Sequence, residues 1–261
     1  MRNGSPIELK KTSITLGQQP ITSDINLTIE AGEFVCILGP SGCGKSTLLN
    51  AIAGFLPYEG EVLVAGKPVT APHVSRGVVF QSSEVLFPWL TATENVEYGL
   101  KVRRIPAKER SQASQKYLEL VGLAHSSHKF PRQLSGGMRQ RLQIARVLVN
   151  EPAIVLMDEP FGALDAQTRD VMQRELSRIW EATRPTILFV THDIIEAIML
   201  ADKIITMTVG PRAGIKSIHP VTMARPRDEM EPDFLALYQT LRTEIGEEVQ
   251  KVLQNQGVTS H

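Results

Sequence analysis

Residues 34–53 constrain the fold of this chain more than any other stretch. An apolar run, Phe34-Val35-Cys36-Ile37-Leu38, leads into Gly39-Pro40-Ser41-Gly42-Cys43-Gly44-Lys45-Ser46-Thr47, and the helix-like Leu48-Leu49-Asn50-Ala51-Ile52-Ala53 follows before Gly54. Strand, glycine-rich loop and helix in this order form a phosphate-binding loop. The glycines allow backbone geometries closed to other residues, so several N–H groups converge on one concavity, and the helix dipole adds positive potential there. Lys45 is expected to reach the β- and γ-phosphates of a nucleoside triphosphate, and the Ser46 hydroxyl to ligate Mg²⁺.

The rest of the chain fits an α/β fold around that loop. Residues 7–30 alternate apolar and polar through Ile7, Leu9, Ile14, Leu16, Ile21, Ile25, Leu27 and Ile29, which predicts an antiparallel β layer ahead of the main strand. Further strands are predicted at Glu61–Gly66 and Gly77–Phe80. Between 82 and 150 the pattern turns helical over Thr91–Arg104, Lys108–Gly122 and Ser135–Asn150. Strands then return at 154–157, 186–191 and 203–209, alternating with helices at 167–183 and 193–201, as a mostly parallel sheet requires. This pattern predicts a core of residues 1–81 and 151–225, a helical subdomain at 82–150, and a tail at 226–261, helical from about 232 to 254.

Ile154-Val155-Leu156-Met157 delivers Asp158-Glu159 at a strand's carboxyl end, where ligands of such sheets bind. Asp158 suits Mg²⁺ held through its water shell, and Glu159 suits polarisation of the water that attacks the γ-phosphate. Leu134-Ser135-Gly136-Gly137-Met138-Arg139-Gln140-Arg141 puts an N-cap serine and two bare glycine N–H groups at a helix start. The same residues also read as an ordinary capped helix. One nucleotide has one γ-phosphate, so a second anion site fits a head-to-tail pair in which each partner's glycines complete the other's site.

With these runs in hand, the chain from about 7 to 225 resembles the nucleotide-binding subunit of an ATP-binding cassette (ABC) transporter, a P-loop NTPase core with an inserted helical subdomain. Leu134–Arg141 resembles that family's signature. The resemblance implies ATP and Mg²⁺ as cofactors and ATP hydrolysis as the activity. It assigns Gln81 to Mg²⁺ and the attacking water, Gly162-Ala163-Leu164-Asp165 to a loop crossing the dimer interface, and His192 to the γ-phosphate. The family usually carries an aromatic residue that stacks on adenine; here that position falls on Leu16, so weaker base discrimination is expected.

Glu84–Gly99 holds Phe87, Trp89, Leu90 and Tyr98 in a chain with two tryptophans. An apolar groove there would receive a short helix from a membrane-spanning permease, the alternative being that Phe87 and Trp89 are subdomain core. Leu86–Thr91, Met138 in the signature, and Ala224-Arg225-Pro226-Arg227 before a short tail resemble importers of nitrate, sulfonate, taurine and bicarbonate. Importers of thiamine precursors look similar. Soluble ABC ATPases of translation or repair share the nucleotide motifs but carry paired cassettes or coiled-coil insertions.

The implied partners are a permease, a second cassette (identical or related) and, indirectly, an extracellular solute-binding protein. The 28 basic residues equal the 28 acidic ones, so nothing in the charge balance points to nucleic acid. Cys36 and Cys43 lack metal-ligand spacing and suit a reducing compartment. No signal peptide is expected at Met1–Lys11, and no apolar run reaches about 18 residues. With these features, the resemblance implies a place at the cytoplasmic face of a membrane, peripherally attached.

Overall fold

The computed structural model describes residues 4–255. The chain forms two compact units, one running to His73 and resuming at Thr186, the other spanning Val74–Pro185. In the first, β1 (Ile7–Leu16) and β2 (Gln19–Ile29) form an antiparallel hairpin with Ile7 opposite Ile29 and Leu9 opposite Leu27. The predicted alternation holds at Ile7, Leu9, Ile14, Ile25, Leu27 and Ile29, all buried, but not at Leu16, which is exposed, or Ile21, which is half-buried while its neighbour Thr22 is buried. Most of their polar neighbours are open to solvent, as a one-sided sheet requires, except Thr12 and Thr22, which are buried where the β1–β2 register shifts.

Strand β3 (Phe34–Leu38) is buried throughout and feeds α1 (Lys45–Ala53), which Gly54 ends in the left-handed conformation at φ 89°. Strand β4 (Glu59–Val64) pairs with β1 and with the short β5 (Lys67–Pro68), giving the sheet order β2-β1-β4-β5. The predicted strand Glu61–Gly66 overran its end. Ala65 and Gly66 both have positive φ (49° and 72°), which makes them the turn into β5.

In the second unit, β6 (Arg76–Val79) lies parallel to β7 (Ile154–Asp158), with Val79 opposite Met157. Three helices intervene in sequence: α2 (Ala92–Val102), α3 (Ala107–Leu120) and α4 (Gly136–Leu148). Thr91 and Glu94 form a capping box at the start of α2, and the Ser135 hydroxyl caps α4 by accepting the Met138 N–H at 3.2 Å. The apolar stripes read from sequence meet in a core of Val96, Leu100, Tyr117, Leu118, Leu142 and Leu148. α5 (Ala166–Thr183) follows β7, capped by Asp165.

The first unit resumes with β8 (Thr186–Thr191), α6 (Ile194–Leu200), β9 (Lys203–Met207) and β10 (Ile215–Pro220). Strand β3 runs parallel to β8 on one side and β9 on the other. β10 pairs antiparallel with β9 and went unread in the sequence, because Lys216, Ser217 and His219 interrupt its apolar content and the strand is largely open to solvent.

The tail helix α7 (Pro232–Asn255) packs on α6 and β9. Glu244 accepts hydrogen bonds from Thr206 at 2.9 Å and Ser217 at 2.5 Å, while buried Glu248 accepts the Val209 N–H at 3.0 Å and pairs with Lys216 and Lys251. The predicted tail ran to residue 261, of which 256–261 lie outside the described residues. Among those described, no helix is long and apolar enough to cross a membrane.

Candidate functional site

The loop between β3 and α1 has the backbone its glycines predicted. Gly42 and Gly44 sit at φ 82° and 91°, a region open to glycine and costly for other residues. Gly44 is doubly constrained, since a Cβ there would lie 2.8 Å from Thr22 Cγ2 and 3.0 Å from Ile21 Cγ2. Strand β2 thus backs the loop. No side chain caps α1, and its first turn carries no acidic residue.

Lys45 is only 5% exposed, and its ammonium turns back to donate to the Gly39 carbonyl at 2.7 Å and the Pro40 carbonyl at 2.9 Å. The charge is therefore centred within the loop rather than extended into solvent. Burial pushes the Cys43 thiol up, against the lowering effect of the neighbouring Lys45 charge, so the loop cysteine stays a neutral thiol.

His192 belongs to the same unit as the loop. Leu38 is in register with Thr191 on parallel neighbours β3 and β8, so Gly39 and His192 leave the sheet at the same end. That carboxyl end is where ligands of such sheets bind. His192 is exposed, and the turn carrying it is tightly held. The Thr191 hydroxyl donates to Glu196 Oε2 at 2.5 Å and accepts the Asp193 N–H at 3.0 Å, while Asp193 caps α6 by accepting the Glu196 N–H at 3.1 Å.

In the second unit the β6–β7 register brings Gln81 and Glu159 to one end of the strand pair. Gln81 Nε2 donates to Glu159 Oε2 at 3.3 Å. Asp158 is buried at the end of β7, and Glu159 follows in the left-handed region at φ 44°. That conformation costs a non-glycine residue roughly 1–2 kcal/mol, and such strain tends to gather at functional sites.

The signature glycines differ from one another. A Cβ on Gly137 would come within 3.1 Å of Leu164 Cδ2 and 3.4 Å of the Ala163 carbonyl, so Gly137 permits close approach of the 162–165 loop. At Gly136 a Cβ would meet nothing, so packing within this unit does not demand a glycine there. Ser135, Gly136, Gly137 and Asp165 are thereby brought to one neighbourhood. The Asp165 side chain is already engaged, accepting the Thr168 N–H at 3.0 Å, which holds its carboxyl below the usual range.

Leu16 lies at the β1–β2 hairpin, partly exposed beside Gly17. The aromatic segment builds a groove of about 830 Å³ lined by Val74, Val85, Phe87, Tyr98, Val102 and Arg146 among others. Phe87 packs at a tilt against Tyr98, with ring centroids 4.4 Å apart, and against Trp89 at 5.6 Å. Trp89 is 69% exposed, which decides against its being subdomain core.

Asn95 and Gln143 escaped the sequence reading, and Gln140 was read only as part of the signature run. All are buried on helices otherwise patterned for an apolar core, and their amides hydrogen-bond the backbone of residues 80–91. The available signal was polar residues at i, i+3 on the inner face of α4.

The ABC transporter family description matches residues 22–162, more than half of the chain. The nitrate import ATP-binding protein NrtD of Synechococcus elongatus is 47% identical over 224 residues, covering 85% of this chain and 81% of its own. The bicarbonate transport ATP-binding protein CmpD of Synechocystis is 48% identical over 216 residues, covering 81% and 76%. A dimeric post-hydrolysis structure of the ATP-binding cassette MJ0796 bound to ADP and Pi superposes with a TM-score of 0.75 at 33% identity, covering 84% of this chain and 100% of that one. With the phosphate loop, the Gln81–Glu159 pair and the signature helix in place, these matches make the chain a member of the ABC transporter family, an ABC-type ATPase.

Proposed function

We propose that this ATPase powers an importer of a small anion such as nitrate, sulfonate, taurine or bicarbonate, from the cytoplasmic face of a membrane. The observation that carries the catalytic part is the Gln81–Glu159 hydrogen bond beside buried Asp158. Glu159 takes a proton from the water attacking the γ-phosphorus, Gln81 orients that water, and His192 donates to the oxygens on which charge develops. Lys45 and the N–H groups of residues 39–47 hold the β- and γ-phosphates.

The Ser46 hydroxyl, Asp158 carboxylate and Gln81 amide are hard oxygen donors of the kind Mg²⁺ takes. Such donors would hold Mg²⁺, which would supply charge neutralisation to the triphosphate. Ser135, Gly136 and Gly137 of a second cassette close each site, with Asp165 at the seam. The dimeric cassette to which this chain is similar supports the pairing of two cassettes.

The groove at Phe87 and Tyr98, with exposed Trp89 beside Phe87, is the docking place for a short permease helix. Its exposed aromatic and aliphatic surface suits an apolar helix face. The nitrate and bicarbonate relatives support the anion class, while substrate choice itself rests with the permease and receptor.

Phosphate release by the purified chain tests the catalytic reading. Glu159→Gln should lose hydrolysis by about 10²–10³-fold and accumulate as an ATP-bound dimer in sedimentation; a variant that stays monomeric in saturating ATP refutes the shared site. Trp89→Ala should preserve ATP binding yet abolish uptake in the reconstituted transporter, and unchanged uptake rules the groove out. Calorimetric titration of the transporter's receptor with nitrate, bicarbonate, taurine and an alkanesulfonate tests the anion class.

A further inference from the structure

The Gln81 side chain must be aimed for the proposed chemistry, yet Gln81 itself is exposed on an irregular segment between β6 and α2. Something else holds its backbone. Gln143, on the inner face of α4, is 0% exposed, and its amide is spent entirely on the residues flanking Gln81. Oε1 accepts the Phe80 N–H at 2.5 Å, and Nε2 donates to the Phe80 carbonyl at 3.1 Å and the Ser82 carbonyl at 3.2 Å.

One turn earlier, buried Gln140 donates to the same Phe80 carbonyl at 3.1 Å. One turn later, Arg146 donates to the Val85 carbonyl at 2.8 Å. Residues 140, 143 and 146 form a row at i, i+3, i+6, and the segment from Phe80 to Val85 is laced along it. A buried amide left unpaired is costly, so moving the segment off this row is penalised on both sides. The two neighbours of Gln81 are thus clamped to a rigid helix.

We infer that Gln143 is a positioning residue for the Gln81–Glu159 pair, an inference that rests on the catalytic reading of that pair given above. It acts through backbone and touches neither nucleotide nor water. The helix that carries it begins at Gly136, about 10 Å away at 1.5 Å per residue. Contacts made by the signature residues therefore bear on the same rigid body that aims Gln81.

The test uses the full chain and steady-state phosphate release at varied ATP and Mg²⁺. Gln143→Leu keeps the volume but removes every donor and acceptor. The expected result is a kcat about 10- to 100-fold lower, a KM for ATP within about twofold of wild type, and a higher Mg²⁺ requirement. In a Gln81→Ala background, Gln143→Leu should lower kcat no further, because the group it aims is already gone.

An equal loss in both backgrounds, or an unchanged kcat in the wild-type background, overturns the inference. Should Gln143→Leu fail to fold, Gln143→Asn withdraws the same amide by one methylene. A smaller loss confined to the background with Gln81 intact supports the inference, and an equal loss in both refutes it. If Gln81→Ala and Glu159→Gln both hydrolyse ATP at the wild-type rate, the catalytic reading falls and takes this inference with it. If they are slow while Gln143 variants act independently of them, only the positioning role is lost.

Discussion

Asn95 offers the sharpest test of how the groove is built. Its side chain is 0% exposed at the start of α2 and makes four hydrogen bonds to the preceding loop. Oδ1 accepts the Phe87 N–H at 2.9 Å, and Nδ2 donates to the carbonyls of Phe87 at 3.1 Å, Leu90 at 3.0 Å and Thr91 at 3.0 Å. Asn95→Ala leaves the Phe87 N–H and up to three carbonyls without these partners. At about 1–3 kcal/mol for a buried group left unpaired, with some recovered by water, the loss should be about 2–4 kcal/mol. Asn95→Asp removes less volume but should cost more at neutral pH, because a carboxylate would face three carbonyls in a buried site.

Burial then raises that carboxyl's pKa in the folded state, so its penalty is present above the folded pKa and absent below the unfolded one. Lowering the pH from 8 to 5 should therefore narrow the gap between the two variants. Urea unfolding followed by tryptophan fluorescence suits the purpose, since Trp89 is exposed in this loop and Trp180 is buried in the same unit. If Asn95→Asp proves as stable as wild type at pH 8, or more stable than Asn95→Ala, the hydrogen-bond account of the loop is wrong.

Other outcomes follow from single positions. Gly44→Ala should abolish nucleotide binding and lower the melting temperature, because a Cβ at φ 91° would sit 2.8 Å from Thr22 Cγ2; fluorescent-nucleotide titration with a thermal melt checks both. Burial pushes the Glu248 carboxyl up, but hydrogen bonds from Lys251, Lys216 and the Val209 N–H outweigh it and leave its pKa below the usual glutamate value; Ser217, Thr206 and His219 do the same for Glu244. A lowered folded pKa contributes stability that is full above the unfolded value of about 4.3 and is lost as pH falls through the folded value. Protection of the α7 amides, measured against the intrinsic exchange rate at each pH, should therefore fall below about pH 4, and Glu248→Gln should flatten that dependence. With Leu16 in place of an aromatic residue, ATP and GTP should compete within about tenfold; a strong ATP preference in a competition assay refutes this.

What could be read from the chain and what could not divide along a physical line. Ile7 to Ile29 declared a one-sided sheet because burial alternates with the pleat, and Ile154 to Met157 declared a covered strand because both faces are apolar. Gly42 and Gly44 declared positive φ because no other residue tolerates it cheaply. Each of these signals is local: the residue's own chemistry states the environment it needs.

β10, Asn95, Gln140 and Gln143 are different, because a polar side chain announces a need for hydrogen bonds without saying where they are met. Patterning assigns such residues to solvent by default. Gln143 instead finds Phe80 and Ser82 some 60 positions earlier in the chain, and β10 is made a strand by β9 rather than by its own alternation. Glu159 shows the same limit in the backbone: its type and place suggested a base, but its φ of 44° follows from the loop that Pro160 and Gly162 build around it. Residues whose own character suits a phosphate loop were therefore legible, whereas buried amides bonded to another segment's backbone became visible only when the two segments were seen side by side. Amides buried on a helix face and bonded to a distant loop are consequently where substitution should alter turnover without altering nucleotide affinity.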